Sequence, residues 1–106
     1  MMKEKNMNRL AYIGERVEEY RAEIEAWKEK MRPTWLMEGQ KLRDLRENLD
    51  IPRCHIARKI HVSDGVLHRL ECGDAIKRRD LVLAAYQTVI ELIRSQRELA
   101  IHSYSK

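Results

Sequence analysis

Apolar residues recur along the first third of the chain at alternating intervals of three and four: Leu10, Ile13, Val17, Tyr20, Ile24, Trp27 and Met31. This is a heptad seam on one long helix, expected over residues 3–32, with mostly Glu, Lys and Arg between the seam positions. Gly14 weakens that helix by about 1 kcal/mol relative to Ala. Pro33 disfavours helical geometry at Arg32, which predicts the stop there. Thr34 is placed to cap a second helix from about Trp35 to Asn48. Leu42 and Leu45 line its core side, with Trp35, Leu36 or Met37 at its entry. A third helix fits residues 52–60, with Pro52 in its first turn, where the missing N–H costs nothing. A fourth begins after the N-cap Ser63 and ends near Cys72, with Gly73 as its stop. After the loop Lys77-Arg78-Arg79, Asp80 is placed to cap a last helix reaching about Ala100. Its apolar positions Leu81, Val82, Ala85, Tyr86, Val89, Leu92, Ile93, Leu99 and Ala100 form a stripe broad enough for burial between two neighbours. The first half of the stripe is expected to complete a core and the second to add dimer contacts. No strand pattern and no internal repeat is present. The expected fold is all-α: an N-terminal helical element over 1–33, a helical domain over 34–100 and a frayed tail over 101–106.

The seam admits two arrangements, a dimerising coiled coil or a helix folded back on its own domain. Its flanking charges leave the orientation open. A parallel pair sets Glu23 against Lys28 favourably but Arg16 against Arg21 unfavourably, whereas an antiparallel pair sets Arg16 against Glu23.

With 106 residues and no Phe, the chain suits a single small domain with an appendage and an aliphatic core, for which oligomerisation is a common support. The net charge of +4 is uneven. Residues 1–38 are balanced, whereas residues 39–80 hold ten basic against seven acidic groups. A polyanionic partner accounts for such a local excess. No apolar run reaches membrane-spanning length and no signal-peptide core is present, so a cytoplasmic protein with reduced Cys54 and Cys72 is expected. His55 and Cys72 make no zinc-ligand interval, and there is no phosphate loop, nucleophile motif or carboxylate pair. The expectation is a protein without cofactor, metal or catalytic residues.

Residues 46–73 add a more specific signal. Ile51, Ile56-Ala57, Ile60, Val62-Ser63, Leu67, Leu70-Glu71 and Gly73 are spaced like the framework of the Cro/XRE-type helix-turn-helix repressors of phages and bacteria, which this stretch resembles. The resemblance covers about residues 39–90 and leaves the long N-terminal helix outside it. It implies a lambda-repressor-like domain whose second motif helix enters the DNA major groove. It also implies a structural ion pair between Arg46 and Glu71. His61 stands where the family usually has the glycine of the turn, Asp50 where a loop glycine is frequent, and Cys72 where an asparagine contacts phosphate.

Leu67 and Leu70 are spaced to face inward, which leaves Asp64, Gly65, Val66, His68 and Arg69 outward. These match the family's base-contacting positions. Arg69 is the strongest candidate, because a guanidinium bonds guanine O6 and N7 in a bidentate manner. Gly65 offers bare backbone for close approach. Lys41, Arg43, Arg53, Lys77, Arg78 and Arg79 are the candidate phosphate contacts, which position without specifying. The expected function is a sequence-specific regulator, a homodimeric repressor bound to double-stranded DNA through an inverted repeat. The alternative is the same fold used as a protein-interaction module, such as an antirepressor or a phage-encoded inhibitor of a host complex.

Overall fold

The computed structural model describes the backbone of residues 2–104 and the side chains of residues 14–102. It is all-helical: α1 spans Met2–Asn48, α2 Arg53–Ile60, α3 Asp64–Glu71 and α4 Arg79–Tyr104. There is no strand among the described residues. The chain divides into two compact units, Met1–Met31 and Arg32–Lys106.

The helix does not stop at Arg32. Pro33 lies inside α1, and Thr34 is an interior helical residue rather than a cap. Proline removes one rung of the hydrogen-bond ladder and crowds the preceding turn, at a cost of about 3 kcal/mol, but its fixed φ is itself helical. Two features past the proline favour that geometry. Trp35 is buried, and a Cβ built on Gly39 would stand 2.6 Å from the carbonyl oxygen of Glu71 and closer still to that of Leu70. The bare Gly39 lets α1 cross the end of α3 at a distance no other residue permits. The bias of a pre-proline residue is a preference, and the packing of this segment outweighs it.

In the unit Arg32–Lys106 the core is built from Leu42 of α1, Ile51, Ile56 and Ala57 around α2, Leu67 and Leu70 of α3, and Val82, Tyr86 and Ile90 of α4. Leu81, Leu92 and Leu99, assigned to the α4 stripe from spacing, are exposed. A helix of this length that packs on one side buries only one stripe, here 82, 86 and 90. α4 also runs through residues 101–104, expected to fray, and ends at Tyr104.

Turn chemistry sets the short helices. Pro52 is the N-cap of α2 rather than part of its first turn, with φ −66° and ψ 142°. α2 ends on His61 in the left-handed conformation, φ 58°, and Asp50 and Arg78 share it at 54° and 53°. His61 and Asp50 thus adopt the backbone that glycine otherwise supplies, which Asp and His tolerate better than most residues. Ser63 caps α3, its hydroxyl accepting from the Val66 N–H at 3.2 Å. Gly73 closes α3 with φ 78°, and a Cβ there would lie 2.7 Å from Leu36 Cα. Gly73 is therefore required both by its dihedral and by its neighbour.

One buried polar network ties the unit together. Arg46 donates from Nε to Glu71 Oε2 and from Nη2 to Glu71 Oε1, both at 3.1 Å, and from Nη1 to the Ile51 carbonyl at 3.0 Å. Tyr86 donates its hydroxyl to Glu71 Oε2 at 2.8 Å. Burial, then the Glu71 carboxylate, pushes the Tyr86 hydroxyl well above its ordinary pKa. Burial alone would lower Arg46, but Glu71 and Tyr86 more than offset it and hold the guanidinium charged. The network joins α1, the α1–α2 loop, α3 and α4 at one point.

In the unit Met1–Met31, none of the described side chains from Gly14 to Met31 is buried. Val17, Tyr20, Ile24 and Trp27 are 41%, 57%, 48% and 55% exposed, and Met31 is half-buried. Leu10 and Ile13, assigned to the same seam, lie outside the described side chains.

Candidate functional site

α2 and α3 are joined by three residues, His61, Val62 and Ser63, and Val62 donates its N–H back to the Ala57 carbonyl at 3.1 Å. Leu67, Leu70 and Glu71 seat α3 on the core. Its opposite side leaves Asp64, Gly65, His68 and Arg69 exposed, with Val66 half-buried. An eight-residue helix held by two leucines and a buried carboxylate is a firm platform for whatever its outer face meets.

The polar groups on that face are already organised. Arg53, at the start of α2, grips Asp64, at the start of α3, with Nε to Oδ1 at 3.0 Å and Nη2 to Oδ2 at 2.9 Å. This is a two-point guanidinium–carboxylate fork. Its hydrogen bonds hold the Asp64 carboxyl below its ordinary pKa and raise that of Arg53. Arg53 Nη1 also lies 3.1 Å from His68 Nδ1. Cys72 Sγ stands 3.7 Å from the other ring nitrogen of His68. Asp64, which would repel phosphate alone, is thus neutralised by Arg53, and Arg53 brings less net charge to the surface than its sequence position suggests.

Arg69 is exposed, and its Nη2 donates to the Ala75 carbonyl at 2.7 Å. That bond draws the guanidinium toward the α3–α4 loop and engages one of its five N–H groups. Gly65 has only Ser63 Oγ within 4 Å of where a Cβ would stand, at 3.9 Å. Among the described residues no packing demands a glycine there.

The basic candidates separate. Lys77 and Arg78 are exposed in the α3–α4 loop. Arg79, expected to contact phosphate with them, is instead buried at 7% exposure. Its Nη2 donates to the Trp35 carbonyl at 2.8 Å and its Nη1 to the Asp74 carbonyl at 3.3 Å. The guanidinium stacks 5.2 Å from the Trp35 ring centre and pairs with Glu38 at 3.6 Å. Arg79 opens α4, and that first turn aims it inward at α1. It is a clasp inside the unit, unavailable to an outside anion. Arg43 is exposed and bonded to Glu47 at 2.9 Å along α1. Lys41 lines a groove of about 350 Å³ with Leu45, Gln87, Ile90, Glu91 and Arg94. It shares a face with α4, not with α3.

Spacing did not reveal Tyr86 as a partner of the Arg46–Glu71 pair, nor the Arg53–Asp64 fork. The fork had a usable signal: Arg53 and Asp64 are each the first residue of consecutive short helices. A second groove, about 390 Å³, is lined by Asp50, Ile51, Pro52, His55, Ile93, Gln96, Arg97 and Ala100. Arg97 hydrogen-bonds the Leu49 carbonyl beside it.

Among the described residues no group of His, Cys, Asp and Glu is placed to hold a metal ion, and no helix is long and apolar enough to cross a membrane. No family model, curated protein or solved structure matches the chain.

Proposed function

We propose that this chain is a sequence-specific DNA-binding regulator of the Cro/XRE helix-turn-helix kind, a cytoplasmic repressor that occludes its operator as a homodimer and performs no catalysis. The observation that carries the reading is the outer face of α3. A short helix seated by Leu67, Leu70 and Glu71 presents Asp64, Gly65, His68 and Arg69 outward, and a helix of this kind fits the major groove. Gly65 adds support. It weakens α3 by about 1 kcal/mol relative to Ala, and no packing among the described residues requires it. A close approach of DNA to that backbone gives the glycine a reason. In this reading Arg69 reads a guanine, Arg53 orients Asp64, and Lys77 and Arg78 bind phosphate. The seam from Leu10 to Met31 pairs two copies.

Selection of genomic fragments by the purified protein, followed by binding across a salt series, tests this. Enriched inverted repeats and a steep salt slope are expected. Arg69→Ala should weaken the selected site by about 1–3 kcal/mol and relax discrimination at one base pair per half-site. Equal weakening on every single-base variant of the site would reduce Arg69 to a phosphate contact.

One observation favours a second reading, a protein-interaction module. The Arg53–Asp64 fork cancels charge where α3 begins, and a protein surface demands less positive charge than DNA does. Absence of both enriched sites and salt dependence would put this reading first.

A further inference from the structure

We infer that His68 reads a guanine through its Nε2–H, and that Arg53 is the positioning residue that fixes both the proton and the ring for this contact. The inference rests on the regulator reading above and adds to it a second reading residue of defined hydrogen-bond polarity.

A neutral imidazole carries its proton on one of two nitrogens, and the two forms offer opposite polarity at each. On the exposed side of a helix, sequence alone does not choose between them. Here a neighbour chooses. Arg53 Nη1 lies 3.1 Å from His68 Nδ1, and a guanidinium has donors only. Neutral His68 therefore offers the lone pair of Nδ1 to Arg53 and carries its proton on Nε2. The same contact fixes the ring, because turning it over would set a carbon and its hydrogen against the guanidinium in place of an acceptor.

Arg53 makes this contact from a fixed place, since two carboxylates hold it. Its Nε and Nη2 grip Asp64 at 3.0 Å and 2.9 Å, and Nη1 stands 3.9 Å from Oε1 of the buried Glu71. The guanidinium is thus tied to the first turn of α3 and to the Arg46–Glu71–Tyr86 network at once.

The Nε2–H is left for an outside acceptor. Cys72 Sγ stands 3.7 Å from Nε2 and 3.9 Å from Nδ1. A sulfur in line with the Nε2–H bond would be much farther from Nδ1 than from Nε2. Near-equal distances put the thiol to one side of that bond, where it is a poor acceptor for it. His68 itself is exposed, on the outer side of α3 with Arg69. In the major groove guanine shows two acceptors, O6 and N7, whereas cytosine shows a donor at N4. A donating Nε2 pairs with guanine and opposes cytosine, and the other tautomer would reverse that choice. By holding Nδ1, Arg53 sets the sign of the readout without touching the base.

The first arm of the test needs no DNA. Long-range proton–nitrogen NMR spectra of the labelled full chain, in mildly alkaline buffer, should show His68 with Nδ1 bare and Nε2 protonated, its signals identified by their loss in His68→Ala. In Arg53→Met the Nδ1 resonance should move as its hydrogen bond is lost. A proton on Nδ1, or an Nδ1 resonance that Arg53→Met leaves in place, overturns the inference. The second arm measures binding to the selected operator and its single-base variants. His68→Ala should lower discrimination about fivefold to tenfold at one guanine per half-site, a base pair other than the one that Arg69→Ala relaxes. Arg53→Met should lower discrimination at the same guanine, and Arg53→Met/His68→Ala should fall no further than His68→Ala. Equal weakening by Arg53→Met on every variant, with the ratio at that guanine kept, would overturn its positioning role. Unchanged discrimination in His68→Ala, on an operator that the wild type still selects, overturns His68 as a reader and leaves the regulator reading standing. A wild-type chain that enriches no DNA sequence overturns both.

Discussion

Residues 32–106 and residues 14–31 carry the same kind of helical apolar periodicity and put it to different use. In the first, Leu42, Ile56, Leu67, Leu70, Tyr86 and Ile90 are almost wholly sealed from solvent. In the second, no side chain is buried. Periodicity tells which side of a helix is apolar. It does not tell what covers that side. The unit that closes on itself draws its stability from packing and from the Arg46–Glu71–Tyr86 network. Residues 14–31 gain from local propensity and from ion pairs along the helix surface, worth about 0.2–0.5 kcal/mol each.

Breaking the buried network should have the largest effect. Glu71→Ala leaves Arg46 as an uncompensated buried charge and removes the acceptor of Tyr86, for a loss of about 3–5 kcal/mol. Urea unfolding of the wild-type and mutant chains measures it. A loss under 1 kcal/mol would mean that residues 32–106 do not depend on the network.

Ile24→Glu strikes the other region. It should raise the dimer Kd by more than about a hundredfold, since it places a charge in the middle of the seam. The urea transition of residues 32–106 should stay within about 0.5 kcal/mol of wild type, as for a surface substitution. A folded mutant of unchanged mass would show that the seam is not the contact.

The loop sharpens the comparison at the scale of single side chains. Arg79→Ala should cost about 1–3 kcal/mol of stability, because two backbone carbonyls and the Trp35 ring lose their partner. Lys77→Ala/Arg78→Ala should leave stability within about 0.5 kcal/mol and lower the magnitude of the log–log salt slope of DNA binding by about 0.9 per lost contact. Three consecutive basic residues would thus divide into one clasp and two contacts. An Arg79 variant of normal stability would return that residue to the surface.

The smallest effect concerns pH. Arg53 holds Asp64 below its ordinary value of 3.8. A carboxyl with a lowered folded-state pKa contributes stability above its unfolded value, and that contribution disappears as pH falls through the folded one. Thermal midpoints of wild type and Asp64→Asn should therefore differ slightly at neutral pH and converge as pH falls through the lowered folded-state value. A gap that widens on acidification would contradict the fork.

Much of residues 49–79 was legible because turn chemistry is local. Ser63 and Gly73 bound α3 where their side-chain acceptor and missing Cβ suggest, and Leu67 and Leu70 point inward as their spacing requires. The Arg46–Glu71 pair came through a resemblance and not through any rule about residues 25 positions apart. What escaped was tertiary. Pro33 reads as a stop, but Trp35 and Gly39 favour helix beyond it. Arg79 reads as one of three equal cations until Trp35, 44 positions away, is seen to hold it. At the outer face of α3, composition announced Asp64 and Arg53 separately, and only the fold shows that they neutralise each other.

The burial of Trp35 under Arg79 has an optical consequence. The chain has two tryptophans, one in each unit, and their surroundings are opposite. Trp35 is 7% exposed with a cation over its ring, and Trp27 is 55% exposed. Trp35 should emit at short wavelength and shift red only when residues 32–106 open. Trp27 should emit as a hydrated indole and shift blue when its helix gains a cover. Replacing either one with phenylalanine leaves a chain that reports on a single event, so that folding and association become two separately readable colours of one protein.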